Sequence, residues 1–143
     1  MLTALTLLVG AQMARPSVTF DALKAKPGAS VKATARVTIP DGWHAYQNPP
    51  KSQYQNPLKL SLGKTAAKAS AFSYPKGKPE VFAGEETLVY EGRQTVTFRV
   101  TVPKTAKSGA LKVPVVVAYQ LCNDKTCLPP STMDATLIVT VVK

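Results

Sequence analysis

Apolar and polar residues alternate with period two along three stretches of the chain: Val31, Ala33, Ala35, Val37 and Ile39; Val96, Phe98, Val100 and Val102; and Leu137, Val139 and Val141. Successive side chains of a strand point to opposite faces, so this period predicts strands with one buried face. Leu111 to Tyr119 is a more continuous apolar run broken by Pro114, which predicts a strand with a bulge or an edge where the proline lacks its N–H. Val18–Leu23, Leu58–Leu62 and Phe72–Tyr74 are shorter strand candidates, and Thr65–Ala71 is the one helix-like stretch, too short to carry architecture. Turn-forming groups separate these segments, among them Lys26-Pro27-Gly28, Pro40-Asp41-Gly42, Asn48-Pro49-Pro50, Lys76-Gly77-Lys78-Pro79 and Lys107-Ser108-Gly109. Short strands punctuated at this spacing predict an all-β protein built as a two-sheet sandwich.

Composition agrees with that reading, since 12 prolines and 8 glycines in 143 residues favour turns over long helices. A chain of this length folds as one domain and needs no covalent staple to bury its core. The formal charge is +10. It is uneven: 11 Lys/Arg stand against Asp21 and Asp41 in residues 1–79, and 7 against 6 acids in the remainder. The basic side chains are scattered over strands and loops without interleaved exposed aromatics, which speaks against nucleic acid and for a solvated basic face.

Met1 to Ala11 forms an apolar run of about ten residues, which suits a signal-peptide core and is too short to span a bilayer. Residues 1–14 are read as a signal peptide, cleaved after Ala11 or Ala14, and 15–143 as the mature domain. No Lys or Arg precedes Arg15, so the positive flank is missing, and a first buried strand is the other reading. No later stretch approaches the ~18 apolar residues of a membrane helix. The expectation is a periplasmic or otherwise extracytoplasmic domain with no transmembrane segment of its own.

Chemistry concentrates at Cys122 and Cys127, which enclose Asn123-Asp124-Lys125-Thr126 and precede Pro129-Pro130. A polar turn of that length can bring two Cα atoms within disulfide range. About six residues in the closed loop give the bond roughly 2 kcal/mol of stabilisation by chain entropy, the low end of the usual range. Spacing alone leaves three readings open: a redox-active pair, a structural bridge, or metal ligands. A structural zinc site asks for four Cys/His ligands where the chain has these two cysteines and His44. A copper(I) site with Met133 or Met13 lacks any Met-x-x-Met pattern, so no metal and no cofactor are expected.

The segment V-A-Y-Q-L-C-N-D-K-T-C-L-P-P, Val117 to Pro130, resembles the active-site segment of the N-terminal periplasmic domain of the DsbD thiol:disulfide interchange family. I-P-D-G-W-H-A-Y, Ile39 to Tyr46, is similar to that family's first aromatic motif, and Y-P-K-G-K-P-E-V-F-A-G-E-E, Tyr74 to Glu86, to its cap-loop region. The resemblance runs from about Ser17 to the end of the chain and implies an immunoglobulin-like β-sandwich. It also implies that Cys122 and Cys127 relay reducing equivalents between proteins, with Phe82 as a cap that moves aside when a partner docks. Glu80 falls where the family places an acidic residue near the cysteines, Tyr46 and His44 fall in the motif near the active site, and Tyr119 is expected to pack beneath the loop. The implied partners are thioredoxin-fold or other thiol–disulfide proteins and a membrane-embedded electron donor acting in trans. The four-residue cysteine spacing departs from the five of the best-known members. A non-enzymatic interaction module, its disulfide only stiffening a binding loop, is the rival expectation.

Overall fold

The computed structural model describes residues 13–143 apart from residue 83 and the side chain of Phe82. Residues 1–12 of the expected signal peptide therefore lie outside the described residues, as does the side chain on which the expected cap depends. Among the described residues there are twelve strands and no helix. They are β1 Ser17–Phe20, β2 Leu23–Ala25, β3 Ser30–Thr38, β4 His44–Tyr46, β5 Lys59–Leu62, β6 Lys68–Ala69, β7 Lys78–Phe82, β8 Glu85–Tyr90, β9 Arg93–Thr101, β10 Gly109–Tyr119, β11 Leu121–Cys122 and β12 Ser131–Val141.

One sheet has the order β1-β3-β9-β6 and a second β2-β12-β10-β5. Their inner faces supply Ala33, Ala35, Val37, Val96, Phe98 and Val100 from the first, and Val113, Val115, Val117, Leu137, Val139 and Val141 from the second, to one buried cluster. All but Val113, Val115 and Val117, which come from the continuous apolar run, are residues the period-two pattern singles out, and the architecture is an immunoglobulin-like, all-β sandwich. The segment Val18–Leu23, expected as one strand, is divided: β1 pairs with β3 in one sheet and β2 runs parallel to β12 in the other.

A third sheet, β11-β4-β8-β7, adds what the pattern does not predict. Its inner residues Ala45, Tyr90 and Leu121 join the same core, and its other face carries the cysteine chemistry. Tyr90 is fully buried, receives a hydrogen bond from Asn48 N at 3.1 Å and donates one to Pro75 O at 2.7 Å. One phenol thus ties two loops under this sheet, and burial raises its pKa above the ordinary tyrosine value.

One expectation is corrected, and another resolves to one of its two alternatives. Thr65–Ala71 holds no helix; Lys68 and Ala69 pair with Thr101 and Val100 as β6, because a short edge pairing with β9 outweighs the helix propensity of alanine. Pro114 causes no bulge, since β10 pairs with β12 without interruption from Gly109 to Tyr119. Its carbonyl accepts from Gly63 N at 2.8 Å just past the last β10/β5 pair, so its missing N–H coincides with the end of that pairing.

Gly77 leads into β7 against the backbone of β8, where a Cβ would stand 2.8 Å from Val89 O and 3.0 Å from Val89 N. Gly77→Ala must push β7 away from β8, and an expected loss of about 1–3 kcal/mol follows from overpacking against rigid backbone. Urea unfolding of the variant measures it.

Candidate active site

Cys122 ends the two-residue strand β11, and the chain turns back through Asn123–Thr126 to Cys127. The turn is built locally: Asn123 N donates to Thr126 O at 2.8 Å, and Asn123 Oδ1 accepts from the backbone N–H groups of Lys125 and Thr126, each at 2.9 Å. An asparagine after the first cysteine therefore closes the loop through its own side chain. Leu128 N donates to Leu121 O at 2.8 Å on the other side. Cys122 and Cys127 lie between these bonds as a non-hydrogen-bonded antiparallel pair, the close type, with Cα atoms 4.0 Å apart and a disulfide between them.

The two halves of that disulfide differ. Cys122 is 4% exposed, whereas Cys127 is exposed with the loop tip Asp124, Lys125 and Thr126. Tyr46 Oη lies 3.7 Å from Cys122 Sγ, and because a disulfide sulfur carries no proton the phenol is the donor. A hydroxyl so placed can stabilise negative charge on that sulfur if the bond opens.

His44 is the Cα partner of Cys122 in the β11/β4 ladder, and its Nδ1 lies 2.7 Å from Glu91 Oε1. Lys78 Nζ bridges Glu91 Oε2 at 2.5 Å and Glu80 Oε1 at 3.2 Å. Lys78 and, less strongly, the imidazole hold the Glu91 carboxyl below the usual carboxylate range, and Lys78 is itself raised by the two acids. His44, Glu80 and Glu91 place potential ligand atoms within 4.8 Å of one another, and Lys78 already supplies a positive charge between the two carboxylates.

A cavity of about 490 Å³ beside this cluster is lined by His44, Asp41, Glu80, Glu91 and Asp124 among others. Four of the chain's eight acids and its one histidine thus gather at the cysteine loop of a protein whose net charge is +10. The surroundings of the cysteine loop are thus richer in acidic groups than the overall basic balance suggests.

The expected residues are brought together unevenly. Tyr46 and His44 stand on the face of Cys122, Glu80 sits on β7 and faces Lys78, and Tyr119 is 8% exposed and belongs to the core cluster. Sequence reasoning missed Lys78 and Glu91. For Glu91 the signal was the parity of residues 87, 89 and 91, legible only once β8 is known to be a strand; Lys78 follows from its pairing with Val89.

A search of curated proteins finds no match to the chain. Among solved structures, the N-terminal periplasmic domain of ScsB from Proteus mirabilis superposes with a TM-score of 0.59 at 15% identity over 88% of this chain. This chain spans only 46% of that one. A chain of the complex between the DsbD N-terminal and PilB N-terminal domains from Neisseria meningitidis gives 0.50 at 18% identity, covering 73% of each. At such identities the likeness is one of fold. The family model described as thiol:disulfide interchange protein DsbD, N-terminal, matches residues 11–138, nearly the whole chain. With the disulfide hairpin and the sandwich that carries it, that match makes the chain a member of the DsbD N-terminal domain family.

Proposed function

We propose that the chain is an extracytoplasmic thiol:disulfide interchange domain, with residues 15–143 as the mature unit, that relays reducing equivalents between proteins through Cys122 and Cys127. The observation that carries this reading is the asymmetry of the disulfide: the exposed Cys127 offers a sulfur that a partner's thiolate can reach, and Cys122 leaves into a covered site beside the Tyr46 hydroxyl. An attacking thiolate needs access to one sulfur and a stabilised leaving group at the other. Phe82 as a cap and Glu80 as a modulator of thiol ionisation belong to the same reading.

The partners are thiol–disulfide proteins of the thioredoxin class, with a membrane-embedded donor in trans. Support comes from the family and from the Neisseria meningitidis DsbD N-terminal domain, which forms a complex with the N-terminal domain of PilB. A periplasmic location is supported by the ScsB domain, and among the described residues no helix is long and apolar enough to cross a membrane.

Equilibration of the purified protein against glutathione and dithiothreitol couples tests the proposal. The 122–127 bond should open reversibly between about −120 and −300 mV, the span of known exchange proteins. A bond that stays closed well below about −300 mV is structural, and the interaction-module reading then replaces this one.

A further inference from the structure

Strand pairing sets three side chains in a line across the third sheet. Cys122 is opposite His44 in the β11/β4 ladder. In the β4/β8 ladder Ala45 faces Tyr90 and Tyr46 faces Val89, and Glu91, the residue just past the end of β8, reaches the His44 ring with its carboxylate. Residues directly opposed in an antiparallel pair project from the same face with Cβ atoms about 4.5–5.5 Å apart. Contact between the second and third members is direct, at 2.7 Å from Nδ1 to Oε1. A thiol, a base and a group that orients the base, in that order, is the arrangement by which proteins control the ionisation of a cysteine.

We infer that His44 is the acid–base partner of Cys122 and that Glu91 is the positioning residue that holds the imidazole toward it; this rests on the exchange reading above. The charges around the imidazole are countable. From β7 come Lys78 and Glu80, from the end of β8 Glu91, from the cysteine loop Asp124, from the turn before β4 Asp41, and from β4 itself the Tyr46 hydroxyl. One ammonium against these four carboxylates leaves a net negative charge around the ring, which a proton on His44 would reduce. Without it, a thiolate formed at Cys122 faces an acidic cavity with only a phenol to help it. With it, the departing sulfur has both a counter-charge and a proton at hand.

In the exchange step a thiolate of a dithiol partner attacks Sγ of Cys127, a bond forms between the two sulfurs, and the 122–127 bond breaks with its electron pair on Cys122 Sγ. His44 gives its proton to that sulfur and recovers one from water. The partner's second thiolate then attacks the partner's own sulfur in the mixed disulfide, and Cys127 leaves as a thiolate that is protonated by solvent. The partner ends oxidised by two electrons and the domain reduced by two.

In Cys127→Ser the sole thiol is Cys122, and its ionisation is read from thiolate ultraviolet absorbance against pH. The thiolate should form about one unit or more below the ~8.5 of a free cysteine. Adding His44→Gln should lower the thiolate-to-thiol ratio at neutral pH about tenfold or more, which is one unit or more upward in the titration. Adding Glu91→Gln should move it in the same direction by less. A Cys122 titration unchanged by either substitution overturns the proposal. Where His44→Gln fails to fold, as judged by its thermal melt, Glu91→Gln decides alone. The exchange reading has a separate fate. If the wild-type disulfide does not exchange with reduced thioredoxin while Cys122 still titrates according to residue 44, that reading fails and this one stands. Rapid exchange with a titration indifferent to His44 and Glu91 leaves the exchange reading standing and overturns the acid–base pair.

Discussion

Cys127→Ser and Cys122→Ser should both lose disulfide turnover completely, yet only Cys122→Ser should accumulate a covalent adduct with an oxidised partner protein. Both sulfurs are needed to close the cycle, so either loss stops it. The single thiol that remains differs between the variants. In Cys122→Ser it is the exposed Cys127, which can attack a partner disulfide and then has no neighbour to resolve the mixed species. In Cys127→Ser it is Cys122, 4% exposed and opposite His44, where a protein-borne disulfide cannot reach it. Non-reducing electrophoresis after mixing with an oxidised thioredoxin-fold protein distinguishes them. Equal adducts from both variants would falsify the division of labour between the two cysteines.

Tyr90→Ala should destabilise the domain by about 3–5 kcal/mol, the cost of deleting a large buried aromatic. This ring is fully buried in the one core that all three sheets share. Tyr90→Phe should cost about 1–3 kcal/mol, because the ring stays and the hydroxyl's half-buried backbone partners Asn48 N and Pro75 O lose it. Chemical unfolding of the two variants gives both numbers, and the difference between them separates ring packing from loop anchoring. If Tyr90→Phe unfolds like wild type, water replaces the phenol and the hydroxyl is not the tie between the loops.

The long strands β3, β9 and β12 of the two main sheets were legible because each alternates between core and solvent, so residues such as Ala33, Ala35 and Val37 announce themselves by alternation. The third sheet was not, for three physical reasons. His44–Tyr46 is too short to show a period. In β8, Val89 and Tyr90 are both buried on opposite faces, which erases alternation. In β7, Lys78, Pro79 and Glu80 read as a polar loop, although an edge strand tolerates a proline. Cys122 and Cys127 stood out through spacing and motif. Their unequal burial and the company of Glu91 and Lys78 depend on pairings between segments distant in sequence, which no local pattern encodes.

Because both cysteines sit in a single hairpin, the redox state of the bond and folding are coupled only weakly. Folding and reduction form a thermodynamic cycle, so the extra stability of the oxidised protein equals the difference between the reduction free energies of the bond in the native and in the unfolded chain. Closing so small a ring restricts the unfolded chain by roughly 2 kcal/mol. For a two-electron couple that corresponds to about 40 mV. The bond can therefore open and close while the sandwich, held by the apolar core and not by the bond, stays close to equally stable in both states.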